Sequence, residues 1–302
     1  MSASTEVFAP GALQRGATRT PAKVALDAAF AVLLFVGTIV GVIALGVLLF
    51  TIYDNGWERL MADPGAFLSN YVSRLPARAG IKAGLYGSIY LMLLTALFCF
   101  PVGVGAAIYL EEFAPKNRVT DFVEANIANL AGVPSVVYGL LGLGVFVRFF
   151  ALGPSLLAGS LTLAVMSLPV IIVAARESIR AVPQSVRLGA YALGATRWQA
   201  VWTQVLPAAI PGTLTGAILA LSRAIGETAP LLVVGLPVVI FNLPNSLDDP
   251  VSALPLLIFN WTSRPQASFA EAAAAASIVL LALLLAMNAV AIFLRNRFSI
   301  RW

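Results

Sequence analysis

The sequence predicts an all-α polytopic membrane protein with six transmembrane helices. Three observations predict it. Of 302 residues 60% are hydrophobic and 11% charged, less than half the roughly 25% charged share of a soluble domain. Several apolar runs reach the roughly 20 residues that cross a bilayer as a helix. The basic residues flank these runs, the arrangement that sets orientation in a membrane.

The six spans are expected at 24–53, 86–110, 123–149, 155–176, 208–238 and 269–294. Lys and Arg at 15, 19, 23, 116, 118, 176, 180, 187, 197, 295, 297 and 301 fall on one side, twelve in all. Six, at 59, 74, 78, 82, 148 and 264, fall on the other, and Arg223 lies within a span. This bias places both termini in the cytoplasm. Residues 1–23, rich in Ser, Thr, Ala, Gly and Pro, read as a disordered cytoplasmic tail. Residues 24–302 form the transmembrane domain. The first apolar run is too long for a signal-peptide h-region.

After the first span, Trp57-Glu-Arg-Leu-Met61 reads as the start of a short interfacial helix and Phe67-Leu-Ser-Asn-Tyr-Val72 as a second piece. Trp57 and Tyr71, and later Trp261, are expected at the membrane interface. The second span pairs Gly103 with Ala107 and Gly105 with Tyr109, a spacing that lets helix backbones approach, and Pro101 weakens it. The span ends in the charged turn Glu111-Glu-Phe-Ala-Pro-Lys-Asn-Arg118. The third span gathers Asn126, Asn129 and Gly132-Val-Pro-Ser-Val-Val-Tyr-Gly139. Each polar group singly suits interhelical packing; together they suggest a broken, cavity-lining segment. The fourth span has a weak point at Ser167-Leu-Pro169.

Between Pro183 and Leu206 hydropathy falls. Two short amphipathic helices are expected, about 184–204, meeting at Gly194-Ala-Thr196, with Thr196 the N-cap of the second. They expose Tyr191, Trp198 and Trp202. A membrane-surface pair and a docking knob for a soluble partner both fit. The fifth span carries Arg223 and Glu227, four residues apart and on one helix face. Ionisable residues inside a membrane are costly and mark function by default. A neutralising ion pair and a contact for a charged solute both remain open. The last span is a plain Ala/Leu helix with a basic stop.

Several chemistries are excluded. There is no histidine, which removes the commonest general base and metal ligand. No Gly-x-x-x-x-Gly-Lys-Ser/Thr loop is present to cradle nucleotide phosphates, and no metal-ligand spacing occurs. The single cysteine, Cys99, suits packing. The net charge of +5 belongs to topology rather than to nucleic acid.

The Pro183–Pro207 segment resembles the EAA loop of ABC importer permeases: Ala190, Gly194, Leu206 and Pro207 match, while Leu188, Gly189 and Gln204 depart. Gly132-Val-Pro-Ser-Val-Val-Tyr-Gly139, Val182-Pro-Gln-Ser with Ala192-Leu-Gly-Ala-Thr-Arg-Trp198, and Arg223-Ala-Ile-Gly-Glu-Thr-Ala-Pro-Leu-Leu232 together resemble the PstA-type permeases of bacterial phosphate importers. The resemblance covers residue 24 to the end. It implies the type I ABC importer (MetI-like) permease fold in the bacterial cytoplasmic membrane. It also implies a heterodimer with a homologous second permease, two ATPase subunits holding ATP and magnesium, and an extracytoplasmic phosphate-binding protein. No cofactor is expected on this chain. Ala190, Gly194, Ala195, Thr196, Arg197 and Trp198 would couple to the ATPase. Arg223, Glu227, Thr228, Ser135 and Tyr138 would line the phosphate pathway, Arg223 contacting the anion and Glu227 neutralising Arg223 or accepting the phosphate proton. A permease for another oxyanion and an ion-coupled carrier relaying protons through Arg223 and Glu227 are the alternatives.

Overall fold

Helices in lipid hold one another by close packing and internal polar bonds, because lipid tails give no hydrophobic drive between them. The computed structural model describes residues 21–297. The expected tail as far as residue 20, and the terminal Arg301 and Trp302, lie outside them. Five described helices are long and apolar enough to cross a membrane, six when one bent pair counts as a single span.

The chain forms two units, one ending at Thr51 and one beginning at Ile52. Helix α1 (Pro21–Ala62) supplies the described part of the first, and its residues 26–51 are all exposed. The helix continues through Trp57 without a break, so the separate interfacial start expected there does not form. Nothing in Asp54-Asn-Gly56 stops a helix already under way. Gly56 instead lies so close to α12 (Ala267–Arg297) that a Cβ would sit 2.6 Å from the Ala274 carbonyl carbon.

In the second unit Asp63 caps α2 (Pro64–Ser69), accepting from the Ala66 amide. Three long helices form the centre: α3 (Lys82–Ile108), α6 (Leu156–Arg180) and α9 (Leu206–Ala224). Glycines set their approach. A Cβ on Gly103 would lie 2.7 Å from Ile171 Cγ2, and one on Gly216 would overlap Ala174 Cβ. Cys99 is buried here beside Ala164, Ile171 and Ala220. The polar side chains of α6 turn inward on their own helix. Ser160, Thr162 and Ser167 donate to the carbonyls of Leu156, Ala158 and Leu163 at 2.7–2.8 Å, which satisfies them without water. Pro169 does not break α6, although it lies within the helix.

The third expected span is broken. Helices α4 (Arg118–Leu130) and α5 (Ser135–Gly142) meet at 105°, and α5 continues as a wide π turn, Leu143–Phe149. The fifth is broken too: α9 stops at Ala224 and a short α10 (Ala229–Val234) follows. Pro230 has no N–H for the Gly226 carbonyl, and its ring clashes with that carbonyl in a continuous helix.

The stretch expected as a loop after residue 238 contains α11 (Leu254–Thr262). Trp261, expected at the interface, is fully buried. Phe269 and the small face of α12 at Ala272, Ala273, Ala275 and Ala276 leave room to enclose an indole. Trp57 does stay exposed, stacked on Tyr53 at 5.1 Å. Tyr71 is half-buried under the Lys82 ammonium.

The turn 245–249 docks on the start of α6. Leu156 and Leu157 amides donate to the Asp249 and Leu247 carbonyls, both at 2.9 Å. The Asp249 carboxylate accepts from the Asn245 and Ser246 amides at 2.7 and 3.0 Å. Those bonds hold its pKa below the ordinary 3.8.

Candidate functional site

Two groups of residues singled out by their chemistry lie in different parts of the second unit. The first surrounds the two helix breaks. Backbone that leaves a helix inside a membrane must be buried in protein or line a wet cavity. Here the helices beyond the breaks pack on one another: a Cβ on Gly139 of α5 would lie 2.9 Å from Pro230 Cα and Val233 Cβ of α10. The absence of a side chain at Gly139 thus lets α5 pack directly on α10.

Arg223 occupies the last turn of α9 and Glu227 the break itself. They are not on one helix face, because the helix ends between them. They still meet, Arg223 Nε donating to Glu227 Oε1 at 3.2 Å. The guanidinium side chain is 54% exposed and the carboxylate 17%. Only Nε is used in this bond, and the two Nη groups make no bond among the described residues. An arginine fork with free Nη donors on an open face suits a planar or tetrahedral oxyanion. Tyr138 is buried, donates its hydroxyl to the Leu130 carbonyl at 2.8 Å and lies within electrostatic reach of Arg223. The bond closes the bend between α4 and α5. Ser135 opens α5, half-buried, and Thr228 precedes α10 without capping it.

The second group is a helical hairpin. Helix α7 (Gln184–Ala192) ends where Gly194 takes φ +82, a left-handed conformation natural to glycine. Helix α8 (Arg197–Ala200) opens with a capping box: Thr196 Oγ1 accepts from the Gln199 amide, and Gln199 Oε1 accepts from the Thr196 amide at 2.9 Å. A π turn, Val201–Val205, joins α8 to α9. The tip is apolar and free, with Leu193 91% exposed. Ala190 and Ala195 sit partly covered and close the turn, the Ala195 amide donating to the Ala190 carbonyl at 3.1 Å.

Arg197 and Trp198 face sideways rather than toward the tip. Arg197 lies over the Phe113 ring at 5.4 Å. Trp198 contacts Phe113 and, edge on, Trp202. With Gly105, Ile108 and Tyr109 these aromatics line an apolar groove of about 360 Å³.

Ion pairs that the sequence did not announce tie this hairpin to the bundle. The π turn Tyr109–Phe113 at the end of α3 carries Glu111 and Glu112 in two directions. Glu111 binds Arg180 at 3.0 Å and lies 3.6 Å from Arg176, which reaches Glu124 of α4 at 2.7 Å. Glu112 is buried against Arg187 of α7 at 2.7 Å. The partners are 69 and 75 positions apart. The available signal was two adjacent acids closing an apolar span opposite a basic segment.

A family model, "Binding-protein-dependent transport system inner membrane component", matches residues 99–301. The probable ABC transporter permease protein YqgI of Bacillus subtilis is 40% identical over 166 residues, 55% of this chain and 56% of the relative. The chain thus spans little more than half of that relative's length. The phosphate transport system permease protein PstA 1 of Mycobacterium tuberculosis is 32% identical over 239 residues, 77% and 75% of the two chains. Among solved structures, an inward-facing MetNI methionine ABC transporter superposes with a TM-score of 0.58 at 16% identity, over 72% of this chain and 95% of that one. It shares the fold.

Proposed function

Because the chain belongs to the family of binding-protein-dependent transport system inner membrane components, we propose that it is the permease subunit of an ATP-driven importer of inorganic phosphate. Its end carrying α7 and α8 faces the cytoplasm, as do both termini, in agreement with the twelve-to-six distribution of basic residues. Two ATPase subunits bind there and hold ATP and magnesium. A homologous permease completes the pathway, and an extracytoplasmic binding protein delivers phosphate to the opposite side. Kinship with relatives named phosphate transport permeases supports the substrate.

The observation that carries the proposal is the state of Arg223. Ionisable residues within membrane segments face the bundle interior or a water-filled cavity and mark substrate pathways. Arg223 is open, uses one of its three nitrogens on Glu227, and stands where two broken helices meet. Phosphate near pH 7 carries one to two negative charges and at least one proton. Arg223 attracts the anion in the pathway, and Glu227 neutralises Arg223 between passages and accepts a hydrogen bond from the phosphate hydroxyl. Ser135, Tyr138 and Thr228 add hydroxyls to the same neighbourhood. At the other end the Leu193–Ala195 tip docks on the ATPase, with Ala190, Gly194 and Thr196 shaping the turn and Arg197 and Trp198 fixing its base.

The test is uptake by the complete complex in vesicles with the binding protein outside and ATP inside. Phosphate accumulates only with ATP and sulfate does not compete. Uptake driven by a proton gradient without ATP would make the chain a carrier instead, and preferred uptake of sulfate would change the oxyanion.

A further inference from the structure

The Arg187 guanidinium is held from three sides. Its Nε and Nη2 both donate to Glu112 Oε1, at 3.0 and 2.7 Å. Its Nη1 donates to the Val182 carbonyl at 2.7 Å and its Nη2 to the Ile179 carbonyl at 3.0 Å. One side chain of α7 therefore grips the π turn that ends α3, the last turn of α6 and the residues just after it. The side chains are 11% and 6% exposed. Burying such a pair gives little net stability compared with an apolar pair of the same size. What it gives is direction, since a charged fork with four bonds admits one orientation.

The rest of the contact lacks that direction. Val186 packs against an apolar cluster that includes Ile108, Val182 and Val205, and apolar contacts of this kind can slide. The same π turn is anchored a second time, because adjacent Glu111 binds Arg180 with both oxygens, at 3.2 and 3.0 Å. Arg176, beside it, reaches Glu124. Glu124 lies on α4, whose last carbonyls include that of Leu130, the partner of Tyr138. A single turn thus joins the hairpin to α6 by hydrogen-bonded charges and, through the Arg176 ion pairs, to α4.

We propose that the Arg187–Glu112 pair is the joint through which movement of the α7–α8 hairpin is transmitted to α3 and α6. The pair is a positioning device: neither residue touches phosphate or nucleotide. The proposal rests on the permease reading above and adds to it the residues that make the hairpin and the bundle move as one. Without the pair, the ATPase can still bind the Leu193 tip and turn over, while the hairpin shifts against α3 and the stroke is lost.

The test uses the assembled complex in vesicles, with Glu112→Gln and Arg187→Lys in this chain. ATP hydrolysis per complex is expected to stay within about twofold of the unaltered complex, while phosphate moved per ATP falls about fivefold or more. Arg187→Lys keeps the charge but loses the fork, so it shares this loss. Either variant moving phosphate at the unaltered ratio per ATP overturns the joint, and so does a loss explained wholly by fewer assembled complexes. A readout independent of the cargo accompanies these rates: hydrogen exchange across 105–113 with and without ATP. In the unaltered complex it changes on ATP binding; in Glu112→Gln it does not. An unaltered complex that moves no phosphate sinks the cargo assignment, and the joint then stands or falls on exchange. Equal nucleotide responses in both proteins overturn it.

Discussion

Arg223 and Glu227 illustrate what a single sequence reveals at the scale of residues. Two opposite charges in an apolar stretch are visible at once, and so is their contact, which forms at 3.2 Å. Their shared helix was the error. Gly226 and Pro230 carry the signal for a break, and the hydropathy of the stretch masks it. Trp261 is misplaced for a different reason. Its burial depends on small residues 11 to 15 positions later in α12, and no local property of an Asn-Trp-Thr run reports that. The consequence for Arg223 is testable. Arg223→Gln removes charge and fork, Arg223→Lys the fork alone. If phosphate meets the free Nη groups, both lower uptake, the lysine variant by about tenfold, the worth of one charge-assisted bond. Assembly should be unchanged, because the guanidinium is more than half exposed. Normal transport by the glutamine variant would return the pair to a structural role.

At the scale of elements, local chemistry was legible and distant pairing was not. The hairpin at 184–204 could be read because Pro183, Gly194, Thr196 and Gln199 act within one turn of themselves. The break at Gly132–Pro134 follows from the same kind of signal. The clasp of the hairpin by Glu112 joins residues 75 positions apart, beyond any periodicity. For the hairpin, Leu193→Asp is the sharpest probe. At 91% exposure the change costs the isolated chain nothing measurable, yet it buries a charge if the tip enters an apolar cleft. ATPase co-purifying with the permease should fall about tenfold or more, in line with an unpaired buried charge. Retention at the unaltered level would remove the tip from the interface. The Asp249 turn gives a pH-dependent element. Its folded pKa lies below the ordinary 3.8, so its contribution is fully present above that value. The contribution is lost as pH falls through the folded pKa. Hydrogen exchange at the Asn245 and Ser246 amides should therefore lose protection in strong acid, and Asp249→Asn should weaken it at neutral pH. Unchanged protection in the asparagine variant would show that the two carbonyl bonds to α6 suffice.

For the whole molecule, five spanning helices among the described residues, six with the bent α4–α5 pair counted as one, were legible from the apolar runs, and the family from three short motifs in order. The sidedness rests on the charge count, and α6 allows a direct check. It has 25 residues, about 37 Å of helix, enough to cross a core of roughly 30 Å. Its first turn holds Leu247 through a backbone bond. Its last turn binds the Glu111 turn, which leads directly to exposed Lys116. Leu247 and Lys116 are thus expected on opposite faces of the membrane. The single native thiol, Cys99, is fully buried, so introduced cysteines can be read against a silent background. An impermeant maleimide added to intact cells should label Leu247→Cys and leave Lys116→Cys untouched until the membrane is opened. The reverse pattern would invert the protein and place the hairpin outside, where no ATPase could reach it. Labelling of both from outside would mean that α6 does not cross the bilayer, and the six-span architecture would fall with it.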